Sequence, residues 1–509
     1  MRPGWGSIRP VRRIICVLAA VACLLAQRPA AGADIPADLA ALAPAIEKNL
    51  TTAIVGFWYP KSIDRQYGGY LVDFDASGRF KGEAPKMIVT QARMLWLSSR
   101  LIREGRGGAD MRDYARQGYR FLMDHMWDAE HGGFYWEVDR TGTKIAAPHK
   151  HLYGQSFGLY ALSEYARATG DSAALADATK LFDLLEAKAH DPRYGGYVEF
   201  FSRDWSAEPT DVTPYLGVPH GVKTMNTHLH LMEALTAYYR ATKSPLAATR
   251  LAELITIQSN TVVRKANGAC TDQYARDWGP APAGATPYLG GGPDLKLMNT
   301  HLHLMEAVST FYRASHSDLA AKRLAELITI QSNTVVRKAV GACTDQYERD
   351  WAPRLTAETS RVSYGHDLEN IWLLVDAHDA LGLPIAPQQD LFRTLFANAL
   401  AHGYDRQGGG FYDSGPLGLD ADRRAKTWWV QAESLVSALT MYRLTGDTQY
   451  ADVFRQTWQF VNDKQTDWTS GEWFEAVAPD GTTGGDKAHR WKAGYHNGRA
   501  LLECLRLIK

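Results

Sequence analysis

A tandem duplication constrains this 509-residue chain more than any other feature. The segment KxMNTHLHLMEA occupies Lys223–Ala234 and returns at Lys296–Ala307. Two further segments, RLAELITIQSNTVVRKA and GACTDQY, are also repeated, and every match is offset by 73 residues. The residues from about 213 to 285 are therefore followed by a near-copy from about 286 to 358. Any fold of this chain must accommodate the same structural unit twice in succession.

The unit is indicated by a turn motif of the form D-x-x-x-G-G-aromatic. It begins at Asp64, Asp128, Asp191 and Asp405, and the first three copies lie 64 and 63 residues apart. The glycine pair permits backbone angles that other residues avoid, and the aspartate can cap a turn. Between the turns, apolar residues recur at three- and four-residue spacing, which predicts amphipathic helices. Each unit is therefore expected to be a helix pair closed by a glycine-rich turn.

Counting these units predicts the architecture. Without residues 1–33 and one repeat copy, the chain has room for about six units of about 65 residues. A helix pair cannot bury its apolar face alone, so the units must stack or close into a ring. We predict one all-α domain over 34–509, an (α/α)6 barrel with one extra duplicated helical hairpin. An open solenoid is the structural alternative. The extra hairpin could open the ring to seven units, be expelled from it, or prevent folding.

Composition and the first residues restrict partners and location. Lys and Arg together number 56, as do Asp and Glu, so no net charge attracts nucleic acid or an anionic membrane. Residues 1–33 read as a signal peptide, with a basic start, an apolar stretch over 14–26 and a small-residue cleavage site. We expect a periplasmic or secreted protein that is free of the membrane after cleavage. The remaining Cys270, Cys343 and Cys504 lack metal-ligand spacing, and one disulfide or free thiols are both open.

Polar and aromatic residues cluster at the starts or on the faces of six predicted helices. Any one of them could be a structural histidine or a capping carboxylate. Alternate helices of a toroid line its central cavity, however, so these clusters would converge there. The clusters are QARMLW with Arg93; YGQSF with Tyr153; MNTHLHLME with Asn299, His303 and Glu306, and His230 in the first copy; GHDLENIW with His366, Glu369 and Trp372; WWVQAE with Trp429 and Glu433; and WKAGYHNGR with Trp491, His496 and Arg499.

The residue types favour proton transfer at carbon. No HExxH, CxxC, P-loop, GxGxxG or GxSxG fingerprint supports metal hydrolysis, nucleotide use or a serine nucleophile. A two-carboxylate glycosidase remains conceivable. The clusters emphasise histidine, however, and two facing imidazoles suit reversible proton transfer near neutral pH. His496 lies at a predicted helix N-terminus, which favours its neutral form and hence a base.

Taken together, MNTHLHLMEA, SYGHDLENIWLL, WWVQAE and GYHNGR resemble the N-acylglucosamine 2-epimerase family, above all its cellobiose 2-epimerase branch. The resemblance covers residues 38–509 apart from the extra copy. It implies an (α/α)6 barrel without a cofactor that inverts C2 at the reducing end of a disaccharide through a cis-enediolate. A mannose isomerase, an N-acyl-hexosamine 2-epimerase and a non-catalytic sugar binder are the alternatives. The expected partner is a small sugar, and the chain is expected to be a monomer or weak dimer.

The resemblance also implies roles for individual residues. His366 and His496 match the two acid/base histidines, and Arg93 matches the arginine that stabilises the enediolate. His303, or His230 in the first copy, matches a position that aids ring opening or holds O1. The remaining matches are the carboxylates Glu369 and Glu433, the aromatic walls Trp372, Trp429 and Trp491, and the polar contacts Tyr153 and Asn299.

The duplication leaves the working copy of MNTHLHLMEA undecided. We favour the second copy, because it joins directly to the GHDLE unit and its DLKLMNTH lead-in is closer to the family pattern. We therefore expect His303→Ala to lower activity more than His230→Ala.

Overall fold

In the computed structural model, fourteen helices in the described residues alternate between an inner and an outer ring. The described residues are 32–82, 84–206, 221–258, 273–281, 295–335, 341–348, 350–356, 358–489 and 492–509. The predicted signal peptide lies almost wholly outside them. Within the described ranges, no helix is long and apolar enough to cross a membrane.

The inner helices carry even numbers and the outer helices odd numbers. The inner helices are α2 (Ile88–Arg103), α4 (Leu152–Thr169), α6 (Met225–Thr242), α8 (Met298–Ser315), α10 (Tyr364–Leu381), α12 (Trp428–Thr445) and α14 (Tyr495–Ile508). The outer helices are α1 (Ala43–Lys48), α3 (Met111–Phe121), α5 (Ser172–Lys188), α7 (Pro245–Ile257), α9 (Asp318–Ile330), α11 (Gln389–His402) and α13 (Thr448–Phe460). Shorter helical segments precede α1 (Ala37–Ala40) and α11 (Ala386–Gln388), and π-helical turns extend α1 (Asn49–Val55 and Phe57–Lys61), α3 (Leu122–Met126), α9 (Gln331–Val335) and α13 (Val461–Gln465).

Inner and outer helices are joined by tight connections with a recurring cap. Five inner helices end in a residue with left-handed backbone, which stops the helix, namely Gly170, Lys243, His316, Gly382 and Gly446. After four of them, all but Gly382, the next residue caps the outer helix by accepting backbone N–H bonds on its side chain. These capping residues are Asp171, Ser244, Ser317 and Asp447.

Short antiparallel strands precede the inner helices α2 to α12. The pairs are Lys86–Met87 with Glu137–Val138, which also pairs with Ile145–Ala147; Lys150–His151 with Phe200–Phe201; Lys223–Thr224 with Gln273–Tyr274; Lys296–Leu297 with Gln346–Tyr347; Arg361–Ser363 with Ser414–Pro416; and Lys426–Thr427 with Ala476–Val477, which also pairs with Thr483–Gly484.

The strands explain the recurring turn motif. Lys86 Nζ lies 3.0 Å from Asp64 Oδ2, and both side chains are almost fully buried. Equivalent pairs join Lys150 to Asp128, Lys223 to Asp191 and Lys426 to Asp405. A buried charge is tolerated only when it is paired, so each lysine fixes the turn beneath its own strand.

The glycine pair of the motif serves a close contact. Gly69 has φ +69°, and a Cβ there would lie 2.8 Å from Gln91 Oε1. The Gln91 amide instead bonds both backbone groups of Tyr70, accepting from its N–H at 2.8 Å and donating to its carbonyl at 2.7 Å. The turn is thereby attached to the inner helix α2.

Both repeat copies are units of the ring. Helices α6 and α8 are neighbours, α6 also packs against α4, and α8 also packs against α10. The all-α toroid of hairpins is thus confirmed, and of the three outcomes considered, the ring has enlarged to seven inner helices in the described chain. Its ends meet, since Trp473 Nε1 donates to Asn49 Oδ1 at 2.9 Å and Tyr495 packs 5.2 Å from Trp96. This contact argues against an open solenoid.

The two described cysteines, Cys343 and Cys504, are buried free thiols. Cys270 lies outside the described residues. No disulfide therefore joins the two cysteines that the structure describes.

Candidate active site

A cavity of about 260 Å³ lies where the first turns of the inner helices converge, and each of the seven contributes to its wall. Seven of the predicted site residues line it, namely Arg93, Tyr153, His230, Asn299, His303, Glu369 and His496. Four more, His366, Trp372, Trp429 and Glu433, lie beside the cavity and contact its lining. Trp491 lies outside the described residues.

The lining falls into layers set by helix position. Arg93, His230, His303 and Glu369 each occupy the sixth position of their inner helix. Glu233 and Glu306 occupy the ninth position, one turn further along and on the same face.

The two histidines expected to transfer protons both lie near one aromatic ring. The His366 ring lies 5.0 Å from the Trp429 ring, and the His496 ring lies 6.4 Å from it. A Cβ on Gly365 would come within 2.4 Å of Trp429, so only glycine lets this indole pack against α10. Trp429 therefore lies near both imidazoles, while its neighbour Trp428 lines the cavity wall.

His366 is held as a neutral base. Its Nε2 lies 3.4 Å from Asn299 Nδ2, and because an amide nitrogen can only donate, Nε2 carries the lone pair. Burial, and then the positive charge of His303, lower the pKa of His366 to about 4. The imidazole is therefore uncharged at neutral pH.

His496 is paired with a carboxylate. Its Nδ1 donates to Glu433 Oε1 at 3.1 Å, and Trp372 Nε1 donates to the other oxygen at 3.0 Å. Burial lowers the pKa of His496, but the hydrogen bond and charge of Glu433 oppose this. His496 is thus better able than His366 to carry a proton, with its Nε2 left for substrate.

Arg499 connects three carboxylates, of which Glu369 and Glu433 are buried and Glu306 is partly exposed. Its guanidinium lies 2.8 Å from Glu433, 3.5 Å from Glu306 and 3.6 Å from Glu369. Burial, and then repulsion from Glu433, raise the pKa of Glu369 to about 7. Burial would also raise the pKa of Glu433, but Arg499 and His496 together lower it to about 2. In the described part of the chain, no group of His, Cys, Asp and Glu forms a metal site.

Sequence reasoning assigned no role to Arg499. The spacing of His496 and Arg499, three residues apart on one helix face, was the available signal. Asn226, Trp428 and Tyr495 also line the cavity without having been predicted.

Both copies of the repeated helix face the cavity with the same hydrogen-bonded pair of histidine and glutamate. His230 Nδ1 donates to Glu233 at 2.9 Å, and His303 Nδ1 donates to Glu306 at 3.1 Å. Although burial lowers the pKa of His303, its bond to Glu306 and the charge of Glu369 raise that pKa to about 9. The second copy lies beside His366, as expected from its place next to the GHDLE unit, but the first copy is equally part of the wall.

Asp367, next to His366, is fully buried and accepts a 2.9 Å hydrogen bond from the Cys343 backbone N–H. Burial raises its pKa to about 8, although the bonds from Cys343 oppose this shift. An unfolded Asp titrates near about 3.9. Between these values the native state keeps a proton that the unfolded chain has released, so stability falls as pH rises.

Asp367→Asn should remove this pH dependence, because asparagine keeps an acceptor for the Cys343 N–H. The quantity to compare is the unfolding free energy of Asp367→Asn minus that of the native chain. We expect this difference to be greater at pH 8 than at pH 5, by about 1–3 kcal/mol. Urea titrations at the two pH values measure it. An equal difference at both would show that the carboxyl is ionised in the native state.

The family model for N-acylglucosamine 2-epimerase (GlcNAc 2-epimerase) matches residues 69–289 and 293–500. The chain belongs to the N-acylglucosamine 2-epimerase family. The break between the two matched segments falls near the junction of the repeat copies, so the family pattern runs through both.

Relatives in this family place the chain more closely. A cellobiose 2-epimerase of Bacteroides fragilis is 28% identical over 466 residues, which cover 90% of this chain and 97% of that protein. The solved cellobiose 2-epimerase of Spirochaeta thermophila is 30% identical, with a TM-score of 0.61 over 92% of this chain and 97% of that one. That of Bacillus thermoamylovorans is 25% identical, with a TM-score of 0.60 over 92% and 99%. The predicted class, an isomerase that epimerises carbohydrates at C2, is confirmed.

Proposed function

We propose that this chain is a disaccharide 2-epimerase that interconverts glucose and mannose at the reducing end of a sugar such as cellobiose. The observation that carries the proposal is a pair of imidazoles near Trp429, of which His496 lines the cavity and His366 contacts its lining residue Asn299. They differ in proton affinity, as an acid and a base on opposite faces of one carbon require. The likeness to cellobiose 2-epimerases over 90% of the chain supports the disaccharide substrate. We also propose export through the signal peptide at 1–33 and action as a single 34–509 domain.

The reaction follows from these groups. After ring opening, His366 Nε2 takes the proton from C2, and the C–H electron pair forms the C1–C2 double bond of a cis-enediolate. The charge that develops on O1 is stabilised by the Arg93 guanidinium and the protonated His303, which both line the cavity. Protonated His496, supported by Glu433, returns a proton to the other face of C2. The reverse reaction exchanges the two roles.

An assay in deuterated water tests the proposal. With cellobiose, we expect the mannose-ended disaccharide to appear with deuterium at C2, followed by proton NMR. The same reaction without enzyme is the control. Release of free glucose would instead show a glycosidase, and conversion of mannose to fructose without action on cellobiose would show a monosaccharide isomerase. Either result would contradict the proposal.

A further inference from the structure

The first repeat copy forms a wall of the cavity that the proton transfers do not use. Asn226, His230 and Glu233 on α6 line the cavity at the same helix positions as Asn299, His303 and Glu306 on α8. On α8 these positions are engaged with the reaction centre, because Asn299 contacts His366 and Glu306 contacts Arg499. Glu233 has only His230 as an ion-pair partner among the described residues. Its other carboxylate oxygen is therefore available to a ligand.

Aromatic rings surround the α6 wall. The His230 ring lies 5.3 Å from the Tyr153 ring and 4.8 Å from the Phe157 ring. One turn deeper, a narrow extension of about 40 Å³ is lined by Trp96 and Tyr160 and shares Arg93, His230, Glu233 and Tyr495 with the main cavity. A water needs about 10–15 Å³ by this measure, so the extension has room for a hydroxymethyl group but not for a sugar ring.

We propose that the α6 wall is a subsite for a second pyranose ring, the one that is not epimerised. The Glu233 carboxylate would accept hydrogen bonds from neighbouring ring hydroxyls, and His230 would offer its second nitrogen. Aromatic faces beside them would cover the apolar C–H face of the ring, and the exocyclic hydroxymethyl group would enter the extension. This inference rests on the proposed function, since that function defines which ring reacts.

The duplication explains how this subsite arose. In a ring with one copy, a single MNTHLHLMEA helix would pack against both α4 and α10. Here α6 packs against α4 and α8 packs against α10, so one helix contacts each side. The second copy keeps the contacts to the reaction centre, and the first copy is left to bind sugar.

Binding of unreactive sugar alcohols tests the subsite without turnover. Cellobiitol keeps the distal glucose ring but has no aldehyde at C1, whereas glucitol lacks the distal ring. By titration calorimetry, we expect Glu233→Gln to weaken cellobiitol binding about tenfold or more and glucitol binding less than about twofold. The matched change Glu306→Gln, in the second copy, should weaken both ligands by a similar factor.

Equal losses for the two ligands in Glu233→Gln, or no loss for cellobiitol, would overturn the inference. If Glu233→Gln melts below the native chain, His230→Gln replaces it, with the same expectation. The result is separable from the proposed function, because neither alcohol can be epimerised. If the native chain fails to exchange deuterium at C2 but Glu233→Gln still weakens cellobiitol binding selectively, the proposed epimerase activity is contradicted and the subsite is not. In turnover, Glu233→Gln should raise KM for cellobiose, whereas His303→Ala should lower kcat.

Discussion

Alanine at His366 or at His496 is expected to slow epimerisation of cellobiose by about 10³-fold, within the range of about 10²- to 10⁴-fold for loss of a general acid or base. The two imidazoles both lie near Trp429, and inversion at C2 requires a proton to leave one face and return to the other. Neither histidine can serve both faces, so the loss of either one should suffice. The measurement is the rate of C2 deuteration with inversion, followed by NMR.

His378→Ala supplies the control on the same helix. His378 is also largely buried and bonds the Leu374 carbonyl at 2.8 Å, but it lies outside the cavity. The His378→Ala variant should be less stable than the native chain but should epimerise cellobiose at the native rate. A His366 or His496 variant that retained more than about a tenth of the native rate would contradict the two-histidine mechanism, since a tenfold change corresponds to only about 1.4 kcal/mol. Residual deuteration of one epimer without inversion would identify the face that the remaining histidine serves.

Replacement of Arg499 by methionine is expected to destabilise the fold by about 3–5 kcal/mol, the usual cost of breaking a buried ion pair. Three carboxylates, Glu306, Glu369 and Glu433, would lose the cation that they share. Without it, burial would raise their native pKa values above those of the unfolded chain. The deficit should therefore be smallest at acidic pH and grow as pH rises. Urea denaturation at pH 5 and pH 8 measures both effects.

Arg506→Met is the matched control for this change. Arg506 lies on the same helix, is 69% exposed and pairs with Glu503 at the surface. Such exposed pairs contribute at most about 1 kcal/mol. Equal destabilisation by the two substitutions would show that Arg499 does not hold the carboxylates together in solution.

The fold could be predicted because its signals are local. The D-x-x-x-G-G turns and the 3.6-residue apolar pattern are set within single units, and their count gave the ring. What happens to the extra hairpin could not be predicted in the same way. The position of the extra hairpin depends on whether all the helix contacts around the ring can adjust together. That property belongs to the whole ring and is not encoded in any single segment.

The site was predicted where a short motif contains it and missed where distant segments meet. His366 and Glu369 share one motif, but Arg499 meets carboxylates that lie 66 to 193 residues away. The sequence also could not show which of Trp428 and Trp429 lines the cavity and which lies near the two histidines. Adjacent residues on a helix point about 100° apart, and the rotation of α12 is fixed by packing against Gly365 on its neighbour.

The contact between α6 and α8 joins the equivalent helices of the two repeat copies. Arg240 on α6 donates to the Thr310 carbonyl on α8 at 3.0 Å, so one side of the unit recognises the other side of the same unit. In assemblies of separate chains, such a head-to-tail interface generates rings whose size is set by how many subunits join. Here it lies within one polypeptide. The number of units in this architecture can therefore change by duplication within one chain, as α6 and α8 show, while the segments that carry His366 and His496 stay in single copy.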